Sequence, residues 1–186
     1  MWFLLAIISL VQPTARALAQ SPAAPVIVVG EFSNMKFTEE HAYGYTIQLW
    51  QQGDHIFGFF ESSEGLEGDT PTGVLDEVQY DPKSGSLSFK AKLTMGVALL
   101  EQGRQEPSRD LFQFRGTLDR AALVGTVNRS DMLRPQAKPE TSQVRLRRQS
   151  GENMIEAHTY AEWKKSADEI LKFRGPRWQP AGLWKM

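Results

Sequence analysis

Residues 63–73 read SEGLEGDTPTG, in which Glu64, Glu67 and Asp69 are interspersed with glycines and hydroxyls. Carboxylate oxygens are the hard donors that calcium takes, and glycines let a backbone fold round an ion. The spacing departs from the twelve-residue EF-hand pattern and Thr70–Pro71 interrupts it, so the run reads as a solvated connection between strands. It is long for a hairpin, and long rim loops are where barrels carry binding surfaces. His41, His55 and His158 are the only histidines, and no two of them have metal-ligand spacing. The chain has no cysteine and no serine in a Gly-x-Ser-x-Gly elbow, which removes the usual activated nucleophiles. The expectation is a protein that is not an enzyme, with no metal and no cofactor.

Asp76 is the sharper anomaly. In GVLDEVQY, Val74, Val78 and Tyr80 share a face with Asp76, so strict alternation aims a carboxylate inward, where it needs a partner. A bulge would instead turn it outward beside Glu77.

Charge is uneven along the chain. Residues 31–81 hold eleven acids against Lys36 alone, whereas 129–148 carry Arg129, Arg134, Lys138, Arg145, Arg147 and Arg148 against two acids. Such a basic strand most often pairs with acidic neighbours, and closure against the first strand near Glu31 would supply them. The net charge of −1 gives no overall field for nucleic acid, so no nucleic-acid partner is expected.

The elements that must position these groups are short period-two runs separated by turns, the mark of half-buried antiparallel strands. In SLSFKAKL, Leu87, Phe89, Ala91 and Leu93 face one way and Ser86, Ser88, Lys90 and Lys92 the other. Tyr43, Tyr45, Ile47 and Leu49 repeat this, as do Phe112, Phe114, Gly116 and Leu118. Gly53–Asp54, DPKSG at 81–85 and LDRAAL at 118–123 are the turns. Eight strands follow, near 26–33, 43–51, 55–61, 73–80, 86–98, 111–118, 122–129 and 142–149. The expected fold is mainly β, an eight-stranded antiparallel up-and-down barrel over 26–149, because closure removes both open edges. A two-sheet sandwich satisfies the same count.

The pattern resembles the calycin-like meander barrels, the superfold of lipocalins and avidins, at the level of topology. Val29-Gly30-Glu31-Phe32 sits where a lipocalin carries Gly-x-Trp on its first strand, with Phe in place of Trp. The Gly-Thr pairs of Phe114–Leu118 and Val124–Val127 look like the late strands of many small exported barrels. The resemblance implies a barrel able to hold one small ligand, and brings no binding motif of either family.

Residues 150–175 read as a C-terminal helix, with a capping box at Asn153 and Glu156 and a stop at Gly175–Pro176. Tyr160, Trp163, Ala167, Ile170 and Leu171 form its apolar stripe, which must cover the barrel wall or a mouth. Lys164–Asp168 and Asp168–Lys172 are spaced as ion pairs on the opposite side. The tail, 176–186, carries Trp178, Leu183 and Trp184, suited to packing on the barrel or on a second copy.

At the other end, Trp2–Val11 is an apolar run followed by Pro13 and by Ala17-x-Ala19. That reads as a signal peptide over 1–19, with a linker over 20–25. The run is too short for a stable membrane anchor. A secreted or periplasmic protein is expected. Its site, if a small apolar ligand is carried inside, comprises Tyr45, Ile47, Phe57, Phe59, Asp76, Phe89, Phe112 and Phe114. The alternative is an envelope structural or protein-interaction module that uses the helix and Trp178 and Trp184 for a partner or for self-association.

Overall fold

In the computed structural model, residues 24–66, 70–152 and 154–176 are described. The leader, most of the tail with Trp178 and Trp184, Glu67, Asp69 and Asn153 lie outside them. The strands are β1 (Val26–Ser33), β2 (Lys36–Phe37), β3 (His41–Gln52), β4 (His55–Leu66), β5 (Thr72–Val74), β6 (Asp76–Asp81), β7 (Ser86–Leu93), β8 (Val97–Leu99), β9 (Gln105–Pro107), β10 (Asp110–Leu118), β11 (Ala122–Asp131) and β12 (Glu140–Arg148). A single helix follows, α1 (Tyr160–Arg174).

All pairings are antiparallel, in the order β5-β4-β3-β1-β12-β11-β10-β7-β6, with β2 beside β3. This is a meander in which the last strand returns to the first, through Phe32 opposite Arg148 and Ser33 opposite Arg147. The result is a nearly closed antiparallel barrel with one C-terminal helix, consistent with a calycin-like topology. Nine strands, not eight, lie on this path, because the expected strand 73–80 breaks at Leu75. Its first part pairs with β4 (Phe59 opposite Val74) and its second with β7 (Tyr80 opposite Leu87). Leu75 donates its N–H to Gly58 at the corner, and Gly73 lies so close to β7 that a Cβ there would sit 2.5 Å from the Lys92 carbonyl. One segment thus serves both edges of the opening, which leaves little edge for another chain to pair with.

The turns are built as their residues require. Gly85 takes φ +70° while its N–H reaches the Asp81 carbonyl, and the Asp81 carboxylate accepts from Lys83 and Ser84. Asp119 Oδ1 accepts the N–H groups of Ala121 and Ala122. The expected strand 86–98 ends at Leu93, and residues 97–107 form a separate small hairpin of β8 and β9.

α1 begins at Tyr160, later than the sequence pattern placed it. Thr159 is the N-cap: its hydroxyl accepts from Glu162 N–H, while the Glu162 carboxylate accepts from Thr159 N–H. Both Asn-x-x-Glu and Thr-x-x-Glu satisfy the capping pattern, so packing decides. Residues 154–159 instead run along the outer wall, where the Trp50 indole donates to the Ile155 carbonyl at 3.0 Å and Val26 N–H donates to His158. The stripe holds: Trp163 and Ala167 are fully buried against Trp50, Phe57 and Phe59. Lys164 pairs with Asp168 as spaced, whereas Lys172 pairs with Glu169.

Candidate functional site

Five of the sequence-derived site residues meet inside the barrel. Ile47, Phe89, Phe112 and Phe114 are buried there, with Tyr45 at their edge. Phe60 joins them into a column: its ring lies 5.4 Å from Tyr45 and 5.1 Å from Phe112, and Phe89 stacks on Phe114 at 5.1 Å. Near Tyr45, Arg129 lies 5.6 Å from the Phe112 ring, donates to both Glu64 oxygens at 2.8 Å and reaches Asp110 at 3.3 Å. Arg148 lies 4.8 Å from the Phe32 ring, in the space that a Cβ on Gly30 would take, and donates to the Val29 and Arg120 carbonyls. Two guanidinium groups therefore cover rings of the interior cluster. Burial pushes the Tyr45 hydroxyl above its ordinary pKa, and Glu64 adds to the effect.

Three residues are not in that interior. Phe57 and Phe59 point to the outer face, against Trp163 at 4.7 and 5.3 Å. The run Ile56–Phe60 is apolar at both parities because β4 is buried on both sides, so alternation cannot say which face is inward. Asp76 is exposed: β6 carries an extra residue between Asp76 and Gln79, Glu77 has φ +50°, and Lys90 pairs with Glu77. The bulge, not strict alternation, sets its direction. Glu64 of the acidic loop is held by Arg129, and no group of three acidic, His or Cys side chains is placed to hold a metal among the described residues. The basic β12 does pair with β1, yet Glu31 accepts from Gln48 and takes no ion pair from Arg145 or Arg147.

A cavity of about 590 Å³ lies outside the barrel. Its floor comes from outward positions of three adjacent strands, and the register lays them in rows. Glu31, Gln48 and Phe59 form one row across β1, β3 and β4, and Ser33, Thr46 and Glu61 the next. The last turn of α1 supplies Ile170, Phe173 and Arg174 as the facing wall. An adjoining cavity of about 290 Å³ shares Glu31, Thr46 and Glu61 and continues past Met35, Phe37 and Thr70. The floor is ordered by hydrogen bonds: Gln48 Nε2 donates to Glu31 at 2.7 Å, and Ser33 and Thr46 share one at 2.9 Å.

Two aromatic side chains stand largely bare beside this groove, Phe173 at 83% exposure and Phe37 at 65%. Burial raises the Glu61 carboxyl above the usual carboxylate range, Glu31 raises it further, and Arg174 and the Thr72 hydroxyl oppose. Neither Glu31 nor Glu61 has an ion-pair partner within 4 Å among the described residues, so the groove holds two carboxylates against one guanidinium. Sequence reasoning missed this site because its residues come one or two at a time from distant segments. The one signal available was Glu61, a carboxylate closing the apolar run 56–60.

No family model, curated protein or solved structure matches this chain. What the fold and the geometry define is a helix-flanked antiparallel barrel with one large mixed-polarity cleft on its flank.

Proposed function

We propose that this is a binding protein, not an enzyme, which holds an amphipathic, positively charged small molecule in the cleft between α1 and the outer face of β1, β3 and β4. The observation that carries the reading is the cavity of about 590 Å³, with Ile170 and Phe173 offering apolar contact and Glu31 and Glu61 offering negative charge. Its volume falls within the roughly 300–1,000 Å³ usual for small-molecule sites, and its lining is more polar than theirs usually is, which suits an amphipathic ligand. Two carboxylates against the single Arg174 guanidinium favour a cation over an anion of the same length there. The leader pattern supports an exported setting.

Straight-chain alkylamines, fatty acids and alcohols of equal length, compared by thermal shift and calorimetry, test the reading. Amines should raise the melting temperature, and Glu31→Gln with Glu61→Gln should remove the rise. Equal stabilisation by fatty acids would show that charge plays no part and would end the proposal.

Carriage of an apolar ligand inside the barrel is the second reading. It is favoured by Ser62, whose hydroxyl is fully buried without a hydrogen-bond partner on the interior side of β4, opposite Tyr45. Ligand-induced amide shifts at Phe112 and Phe114, in place of Gln48 and Phe173, would select it.

A further inference from the structure

Of the described residues lining the flank groove, Arg174 alone is a cation, and it forms no ion pair within 4 Å with a described carboxylate. Its guanidinium is still near enough to Glu61 to oppose the upward push of burial and Glu31 on that carboxyl. A guanidinium is a planar fork that takes a carboxylate through two parallel N–H bonds, so the helix wall presents a carboxylate receptor. Ile170, Phe173 and Arg174 share one face of α1, because residues three and four apart lie side by side on a helix. A ligand laid against the apolar pair therefore meets the guanidinium. Across the groove, Glu31 and Glu61 stand on β1 and β4 with β3 between them, offset by two residues along the strands. Ordinary strand spacing and rise put their Cα atoms roughly 12 Å apart, so each carboxylate can take a cation of its own. Gln48, on the strand between, spends Nε2 on Glu31 and keeps its amide oxygen for a donor.

The groove thus offers two carboxylates, one guanidinium and an apolar wall, and its complement is a molecule with two cations, one carboxylate and an apolar group. We infer that it takes a short peptide with free termini, one basic and one apolar side chain, whose carboxylate seats on Arg174 while its two cations seat at Glu31 and Glu61. The inference rests on the ligand reading and narrows it, since such a peptide is amphipathic and carries net positive charge. An alkylamine has one cation for the two carboxylates and nothing for Arg174. A lone basic amino acid has the right charges but no apolar side chain to lie on Ile170 and Phe173. Arg174 is then the residue that sets specificity, because it alone asks the ligand for a negative group.

Calorimetric titration of the intact chain with the dipeptide phenylalanyl-lysine, and with the same dipeptide carrying a neutral carboxamide in place of its carboxylate, tests the assignment by the order of the two affinities. Charge count alone favours the amide, a dication where the acid is a monocation, in a groove of net negative charge. The assignment requires the reverse: the acid should bind the parent about fivefold more tightly than the amide. Arg174→Gln should hand the preference to the amide, and because Arg174 is exposed at the end of α1 the variant should keep the parent's fold. Glu31→Gln with Glu61→Gln should weaken both peptides. Tighter binding of the amide by the parent, a preference for the acid that survives Arg174→Gln, or unchanged affinities in the double variant each overturn the inference. Octylamine separates its failure from that of the ligand reading. If octylamine binds through the two glutamates while the acid has no advantage over the amide, the cationic-ligand reading holds and the peptide inference fails. If neither octylamine nor either peptide binds, both fail.

Discussion

Two aromatic clusters sit back to back across β4, and they differ in how they end. Inside the barrel, Phe60, Phe89, Phe112 and Phe114 are 2% exposed or less, with Arg129 and Arg148 laid over Phe112 and Phe32. Outside, Trp50, Phe57, Phe59 and Trp163 are packed as tightly under the middle of α1, yet toward Arg174 the packing gives way to a cleft floored by carboxylates. Aromatic content alone therefore does not mark a binding site. The inner cluster is walled by strands, whereas the outer one has a single helix for a roof, and where that roof ends the floor turns polar.

The largest effects should come from cutting one ring out of each cluster. Phe112→Ala and Trp163→Ala should each cost about 3–5 kcal/mol in urea unfolding, the range for deleting a buried aromatic. Hydrogen exchange separates them. Phe112→Ala should speed exchange across all strands, since every stave shares that interior, while Trp163→Ala should speed it in α1 and leave β7, β10 and β11 near their parent rates. Uniform acceleration in both variants would show a single undivided core.

Next in size is Arg129, whose guanidinium serves Asp110 and Glu64 while covering Phe112. Asp110 is 4% exposed, so Arg129→Met should cost about 2–3 kcal/mol by leaving that carboxylate without its cation. Asp110→Asn in the same protein should recover much of the loss. Failure of that rescue would mean that Arg129 acts through packing on the ring and not through its charge.

These contrasts also show how far the sequence could be read. Most strand positions, the turns and the helical stripe were legible, because SLSFKAKL and YGYTIQL alternate cleanly and Gly85 and Asp119 have one obvious use each, whereas the break at Leu75 and the hairpin of β8 and β9 were not. The interior set Tyr45, Ile47, Phe89, Phe112 and Phe114 follows from the same alternation. Phe57 and Phe59 were illegible as outward residues, since a strand buried on both faces gives no parity signal. Asp76 depended on a bulge whose cause is tertiary: β6 must leave β4 and join β7 at Leu75. The flank cleft was invisible for the same kind of reason. Glu31, Gln48 and Glu61 become neighbours only through the register of three strands, and that register is fixed by closure of the whole barrel.

A smaller effect tests the roof. Thr159→Ala removes the hydroxyl that accepts Glu162 N–H and should cost about 1 kcal/mol, seen as a lower urea midpoint and faster exchange in the first turn of α1. Thr159→Ser should restore most of it. The inner cluster should not register the change, because nothing in the barrel hydrogen-bonds to that side chain among the described residues.

The smallest effect on stability, and the most telling for the cleft, is at Glu61. Its folded pKa is raised, by burial first, so the native state holds a proton there more readily than the unfolded chain. The sign follows: this group favours folding below the unfolded carboxylate range and loses that advantage as pH rises through the folded value. Glu61→Gln keeps the Thr72 contact and removes the titration, so the variant should melt higher than the parent at pH 7 and the gap should close as pH falls toward 4. Amine binding must run the other way, since a cation in the cleft favours the ionised carboxylate and weakens as that carboxylate takes up its proton. A parent protein whose amine affinity drops on acidification, beside a Glu61→Gln protein whose weaker affinity stays flat over the same range, ties the titrating group to the cleft. Equal pH slopes in the two proteins would place the charge that matters at Glu31.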